Sequence, residues 1–108
     1  MTEALCPKAF ESFTDARGEL APDSDDSLRT FSQAVFQAGA LPCKTKELIA
    51  IAVAYVTQCP NCIRGHTKAA LKQGAIQAEI LEAVWIAAEM RSGATRTRSG
   101  LALKDIGE

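Results

Sequence analysis

A stretch of nine residues without a charge, Leu48 to Val56, constrains the fold more than any other part of this sequence. Its spaced alanines and the lysine-rich segment before it favour a helix over a strand. A helix that is apolar around its whole circumference needs neighbours on every side. A chain of 108 residues can hardly supply them alone. We therefore predict an obligate homo-oligomer whose core continues across the subunit interface.

The composition predicts an all-α protein. The chain contains 19 alanines against 4 valines, and its apolar residues recur at helical rather than alternating spacing. No internal repeat and no linker divides the chain, so we expect a single domain over residues 1–108. Start and stop residues indicate a compact bundle of about five to six helices. They are expected over residues 7–18, 25 or 26 to 39, 44–57, 60–73, 76–90 and 94–103.

Three local signals set the boundaries of these helices. The acidic segment from Glu19 to Asp26 is predicted to be a loop. Cys59-Pro60 marks a restart, because proline lacks an N–H group and suits the first helical position, which makes Cys59 the N-cap residue. Ser92-Gly93 is expected to break the chain between the last two helices.

Charge and hydropathy argue against two classes of partner. The net charge is −1 and the pI is near 5.8, so no overall field attracts nucleic acid or an anionic membrane. Residues 1–26 carry seven acids against two bases, and residues 91–104 carry four bases and no acid; we expect both to be solvated faces. No apolar run approaches the roughly 20 residues of a spanning helix, and no leader pattern opens the chain. We expect a cytoplasmic protein that binds neither nucleic acid nor membrane.

Four groups suited to thiol and proton chemistry lie between Glu47 and His66. Cys59 and Cys62 have the spacing that lets a disulfide close across one turn, and a helix start favours the thiolate. Cys62 and His66 are four residues apart on one helix face, so the imidazole can accept the thiol proton directly or through one water. Twelve residues of unbroken helix would place Glu47 about 18 Å from Cys59. A backbone break near Pro60, or a partner subunit, must therefore bring it to the histidine.

The same residues permit other chemistry. Cys59, Cys62, His66 and a carboxylate could make four zinc ligands, although one CxxC pair without a second is a weak metal signal. Covalent haem is excluded because Ile63, not histidine, follows the second cysteine. The two remaining cysteines lack a spaced partner and are expected to be ordinary small side chains. We expect no bound metal and no cofactor.

From Leu41 to His66 the chain resembles the carboxymuconolactone decarboxylase superfamily, in its alkylhydroperoxidase D-like branch. Glu47, the Cys59–Cys62 pair and His66 carry this resemblance, which covers about residues 26–103. It implies an all-helical fold that assembles as trimers or hexamers, and thiol-dependent reduction of a hydroperoxide. By resemblance, Cys62 attacks the peroxide, Cys59 resolves the product, and Glu47 with His66 forms a proton relay. An external dithiol or disulfide reductase must then reduce the disulfide.

One position departs from the family pattern, and the functional alternatives stay open. Members best known as peroxidases have a histidine just before the second cysteine, where this chain has Asn61, which cannot shuttle a proton near neutral pH. This implies slower peroxide turnover or another oxidant. Generic CxxC chemistry would make Cys59 the nucleophile. The alternative functions are a decarboxylase-like lyase with Glu47 and His66 as acid and base, and a non-catalytic redox-sensing or zinc-binding module.

Overall fold

The computed structural model describes residues 16–107, and within that range every regular element is a helix. The all-α prediction is confirmed. The chain divides into two units, Met1–Gln37 and Ala38–Glu108. Residues 16–20 are helical, whereas the rest of the helix predicted over 7–18 lies outside the described residues. The other helices are α1 (Pro22–Phe36), α2 (Cys43–Thr57), α3 (Pro60–Lys72) and α4 (Gln77–Gly107).

Helix α1, in the first unit, corrects one prediction. It begins at Pro22, whose fixed φ suits a first turn and whose missing N–H costs nothing there. Asp23 and Asp25 lie in that first turn, where carboxylates interact favourably with the helix dipole. The predicted loop over Glu19 to Asp26 is therefore wrong, because its acidic residues belong mainly to the start of a helix.

Two long-range hydrogen bonds order the helices of the second unit, where α2 packs against both α3 and α4. Lys44 Nζ donates to Glu79 Oε2 at 3.0 Å, near the start of α2 and of α4. Arg91 Nη1 donates to the Val56 carbonyl at 2.8 Å, near the end of α2. Both pairs are 35 residues apart, so α2 and α4 run parallel in a constant register. Helix α3 returns the chain from the end of α2 to the start of α4.

Alanine dominates the interior of this unit. Ile51 is fully buried and packs with Ala70 and Ala75, and small side chains of this kind let helix axes approach closely. Several bulky residues of α2 and α4 lie outward. Four of them line an open apolar groove between these helices and are between 48% and 61% exposed: Ile49, Val53, Ile86 and Met90.

Helix α4 runs without interruption through Ser92 and Gly93 to Gly107. The predicted break at these residues and the separate helix over 94–103 are therefore wrong. A single glycine costs a helix only about 1 kcal/mol relative to alanine, and no proline stands there to stop it. Within residues 16–107, no helix combines the length and the apolar character needed to cross a bilayer.

Candidate active site

The turn between α2 and α3 is the backbone feature that builds the site. Gln58 follows the last residue of α2 in a left-handed conformation, with φ 58° and ψ 51°. The N–H groups of Gln58 and Cys59 both donate to the Ala54 carbonyl, the second at 3.0 Å. They satisfy a carbonyl that a helix end leaves open. This reversal folds α3 back along α2.

Cys59 and Cys62 form a disulfide across the first turn of α3. Cys59 is the N-cap residue, as predicted, and has the extended backbone favoured before proline. Its Sγ accepts the Cys62 N–H at 3.3 Å. The Cα atoms are 5.2 Å apart, inside the range of about 4.4–6.8 Å that disulfides use. Cys59 is half-buried and Cys62 is exposed, so the second sulfur is the more accessible one.

Glu47 reaches His66 within one chain. The His66 Nδ1 and Glu47 Oε1 atoms are 2.7 Å apart, and the two side chains are 31% and 12% exposed. Because a carboxylate only accepts hydrogen bonds, Nδ1 is the donor, and Nε2 carries the lone pair of the neutral ring. The disulfide and this pair share α3, since Cys62 lies one turn before His66.

Glu79 connects the start of α4 to α2, a role that the sequence analysis did not predict. The Ile76 N–H donates to its Oε1 at 3.0 Å, and Lys44 binds its other oxygen. The backbone hydrogen bond from Ile76 is the main reason that the pKa of Glu79 lies below its usual value, and Lys44 lowers this pKa further. A glutamate at the third position of a helix often reaches back to the N-cap N–H. That spacing was the available signal.

Arg91 and Gln58 were also missed, for a different reason. Arg91 donates to the Val56 carbonyl, 35 residues away. Local sequence patterns cannot predict a partner at that separation. Gln58 adopts a backbone conformation that usually belongs to glycine or asparagine.

The described part of the chain contains no set of side chains arranged to bind zinc. Between residues 16 and 107, no group of three or more His, Cys, Asp or Glu side chains is placed to hold a metal ion. In this oxidised state the sulfurs of Cys59 and Cys62 are bonded to each other. Cys43 stands at the first position of α2 and takes no part in that bond, and Cys6 lies outside the described residues.

The fold and the site define an all-helical protein with a CxxC disulfide next to a half-buried Glu–His pair. Residues 22–105 match the carboxymuconolactone decarboxylase family, and the chain belongs to that family. The Cys59–Cys62 pair fits the alkylhydroperoxidase D-like branch.

The chain is similar to several known proteins, and at least two of them carry the same family name. The chain is 44% identical over all 108 residues to an uncharacterised protein in the cox locus of Paracoccus denitrificans, and covers 96% of it. A solved carboxymuconolactone decarboxylase family protein from Legionella pneumophila is 35% identical, with a TM-score of 0.73 over 77% of this chain and 74% of that one. Another from Thermotoga maritima, for which a role in the antioxidative response has been suggested, is 27% identical, with a TM-score of 0.57 over 79% and 96%.

Proposed function

We propose that this protein is a thiol-dependent peroxide reductase with Cys62 as nucleophile and Cys59 as resolving residue. The observation that carries the proposal is a disulfide closed across the first turn of α3, one turn before a histidine bonded to a carboxylate. The suggested antioxidative role of the Thermotoga maritima relative agrees with it. Family resemblance and the greater exposure of Cys62 support the assignment of the nucleophile.

The first half of the reaction oxidises Cys62. Nε2 of His66 accepts the thiol proton, directly or through a water, while the Glu47 carboxylate balances the charge of the imidazolium. The thiolate attacks one peroxide oxygen and the O–O bond breaks. The departing oxygen takes the proton from His66 and leaves as alcohol or water. Cys62 remains as a sulfenic acid.

The second half forms the observed disulfide. The Cys59 thiolate, stabilised at the N-cap by the Cys62 N–H, attacks the sulfenic sulfur and the S–O bond breaks; the departing hydroxide takes up the proton that the Cys59 thiol released and leaves as water. Little backbone movement is needed, because the Cα atoms are already 5.2 Å apart. An external dithiol or disulfide reductase then supplies two electrons to restore both thiols. The proposal includes a cytoplasmic location, where such reductants keep thiols reduced.

The proposal also includes a homo-oligomer, either a trimer or a hexamer. The apolar groove between α2 and α4 supports it, because bulky side chains in a row there remain about half exposed in the single chain. Burial of this groove against another copy would give the uncharged α2 stretch the neighbours it needs. Light scattering that shows a stable monomer at micromolar concentration would contradict this.

The experiment that tests the function follows peroxide consumption with dithiothreitol as reductant. Cys62→Ser should abolish turnover, and Cys59→Ser should accumulate Cys62 sulfenic acid, detected by dimedone labelling and mass spectrometry. Cys43→Ser is the matched control and should keep turnover. Sulfenic acid on Cys59 instead would exchange the two roles, and two unreacted thiols after peroxide exposure would refute the redox function.

The Glu47–His66 hydrogen bond also favours one second candidate, a decarboxylase-like lyase in which these residues act as acid and base and the cysteines are secondary. Under that function, the Cys59→Ser and Cys62→Ser variants would both retain lyase activity. The same variants therefore distinguish the two reaction classes.

A further inference from the structure

Helix α3 presents two faces of different character. The inner face, which packs toward α2, is buried or half-buried and consists of Ile63, His66, Thr67 and Ala70. The outer face lies on the opposite side of the helix and is exposed at every position; it consists of Asn61, Gly65, Lys68 and Lys72. Cys62 lies between these two faces: at about 3.6 residues per turn, its side chain is about 40° around the helix from His66 on one side and about 60° from Gly65 on the other.

The outer face is positively charged next to the disulfide. Helix α3 contains no acidic residue, and Lys68 and Lys72 are four residues apart, so their charges reinforce each other. Among residues 16–107, no carboxylate pairs with either lysine. Lys68 lies about 9 Å along the helix axis from Cys62, which is about one Debye length at physiological salt. Salt screens much of this lysine's field over that distance, so Lys68 and Lys72 act on an approaching acidic partner rather than on the sulfur itself.

Gly65 leaves a flat position in the middle of this face. No atom of the described chain outside its own helical turn lies within 4 Å of the point that a Cβ atom would occupy. Its backbone is helical, so neither packing nor a positive φ requires glycine here. Glycine is the least favourable helix residue after proline. A residue of this kind permits close approach of another backbone to the surface beside Cys62.

We infer that the outer face of α3 docks an acidic protein that carries the reducing dithiol. This inference rests on the proposed function and names the class of its reductant. Charge complementarity with Lys68 and Lys72 selects the partner, and the flat surface at Gly65 admits its dithiol loop. The alternative occupant is a second copy of this chain, whose residues 1–26 are acidic, and the experiment below separates the two.

The electron transfer at this face proceeds by two thiol–disulfide exchanges. One partner thiolate attacks the exposed Cys62 sulfur, the bond to Cys59 breaks, and Cys59 leaves as a thiolate that accepts the Cys62 N–H. The second partner thiolate then attacks the partner's own sulfur in the mixed disulfide. Cys62 leaves as a thiolate that takes up a proton, and the partner departs as a disulfide with two electrons fewer.

The test uses two synthetic peptides with the same Cys-Gly-Pro-Cys dithiol, one flanked by glutamates and the other by lysines. We expect the glutamate peptide to reduce the disulfide about three- to ten-fold faster at low salt, with a smaller difference at high salt. The double variant Lys68→Glu/Lys72→Glu should reverse the preference. Lys104→Glu, an exposed charge on α4, is the matched control and should leave it unchanged.

Gly65→Ala provides a second, independent measurement. It should raise the melting temperature, because alanine is the better helix former, and yet slow reduction by the glutamate peptide about three-fold or more. Reduction by dithiothreitol should not change. A variant that is more stable and equally fast with the peptide would contradict close approach at this position.

The outcomes separate this inference from the proposed function. Equal rates with both peptides would overturn the docking inference while dithiothreitol-driven peroxide turnover still stood. Loss of that turnover in the unmodified protein would overturn the proposed function itself. Dissociation of the assembly by Lys68→Glu/Lys72→Glu, seen by light scattering, would assign the face to contacts between copies and overturn the partner.

Discussion

Replacement of Glu47 by glutamine tests whether the carboxylate does more than position His66. Glutamine keeps an oxygen that can accept the 2.7 Å hydrogen bond, but it removes the negative charge. A hydrogen bond to a charged group contributes about 1.5–3 kcal/mol and a neutral one about 0.5–1.5 kcal/mol. The difference is about 1–1.5 kcal/mol, and the low exposure of Glu47, 12%, limits its screening by solvent. In the proposed relay this charge acts when His66 takes the Cys62 proton, so oxidation of Cys62 should slow about five- to thirteen-fold.

The assay measures the second-order rate of disulfide formation after reduced protein is mixed with hydrogen peroxide. In parallel, the pH at which iodoacetamide alkylation of Cys62 is half-maximal should rise in Glu47→Gln, while the molar mass measured by light scattering stays unchanged. Glu89→Gln, an exposed carboxylate on α4, is the control. Groups that act as one unit are not additive, so Glu47→Gln/His66→Ala should be no slower than His66→Ala alone. An unchanged rate in Glu47→Gln, or two additive losses, would refute the relay.

Two further predictions concern stability. Gln58→Gly should stabilise the fold by about 0.5–1 kcal/mol, since a left-handed conformation costs a residue with a side chain about 1–2 kcal/mol and glycine loses about 0.4–1 kcal/mol more entropy. Gln73→Gly, at an ordinary φ of −87°, should destabilise it in the same thermal melts, and a loss in both would show that Gln58 carries no strain. The lowered pKa of Glu79, due first to Ile76 and then to Lys44, means that its stabilisation is complete at neutral pH and is lost as pH falls through that pKa. The difference in urea midpoint between the unmodified protein and Glu79→Gln should thus be largest at about pH 7 and shrink as pH falls below the ordinary glutamate pKa of about 4.3; a constant difference would contradict this.

The turn between α2 and α3 could be predicted from its local sequence. A proline directly after Cys59 determines where a helix can begin, and the boundaries of α2 and α3 agree with the prediction within one residue. The single histidine made His66 the natural partner for Glu47. Their contact, however, depends on the left-handed backbone of Gln58. Glutamine has no preference for this conformation, so the sequence could not predict it.

Two features failed to follow from local signals because those signals are weak. The acids near Asp23 resemble a solvated loop in composition, yet at a helix start they stabilise the dipole. Ser92-Gly93 resembles a helix end. Glycine, however, is only about 1 kcal/mol less favourable than alanine inside a helix, and the surrounding residues of α4 outweigh that cost. The hydrogen bond from Arg91 to the Val56 carbonyl then holds α4 to α2 just before this position. Such contacts exist only once the chain has folded.

The two positive-φ residues at the ends of α3 have a consequence for how this protein can change. The helix is entered through Gln58 and left through Gly74, whereas α2 and α4 are bonded directly to each other near both ends of α2. These two hydrogen bonds fix the register of α2 against α4 and involve no residue of α3. Substitutions in the first turn of α3 can exchange one set of reactive side chains for another while α2 and α4 keep their positions relative to each other. The disulfide cysteines and the hydrogen bonds between α2 and α4 lie in separate stretches of this chain, so selection or a designer can alter the first turn of α3 without rebuilding the contact between the other two helices.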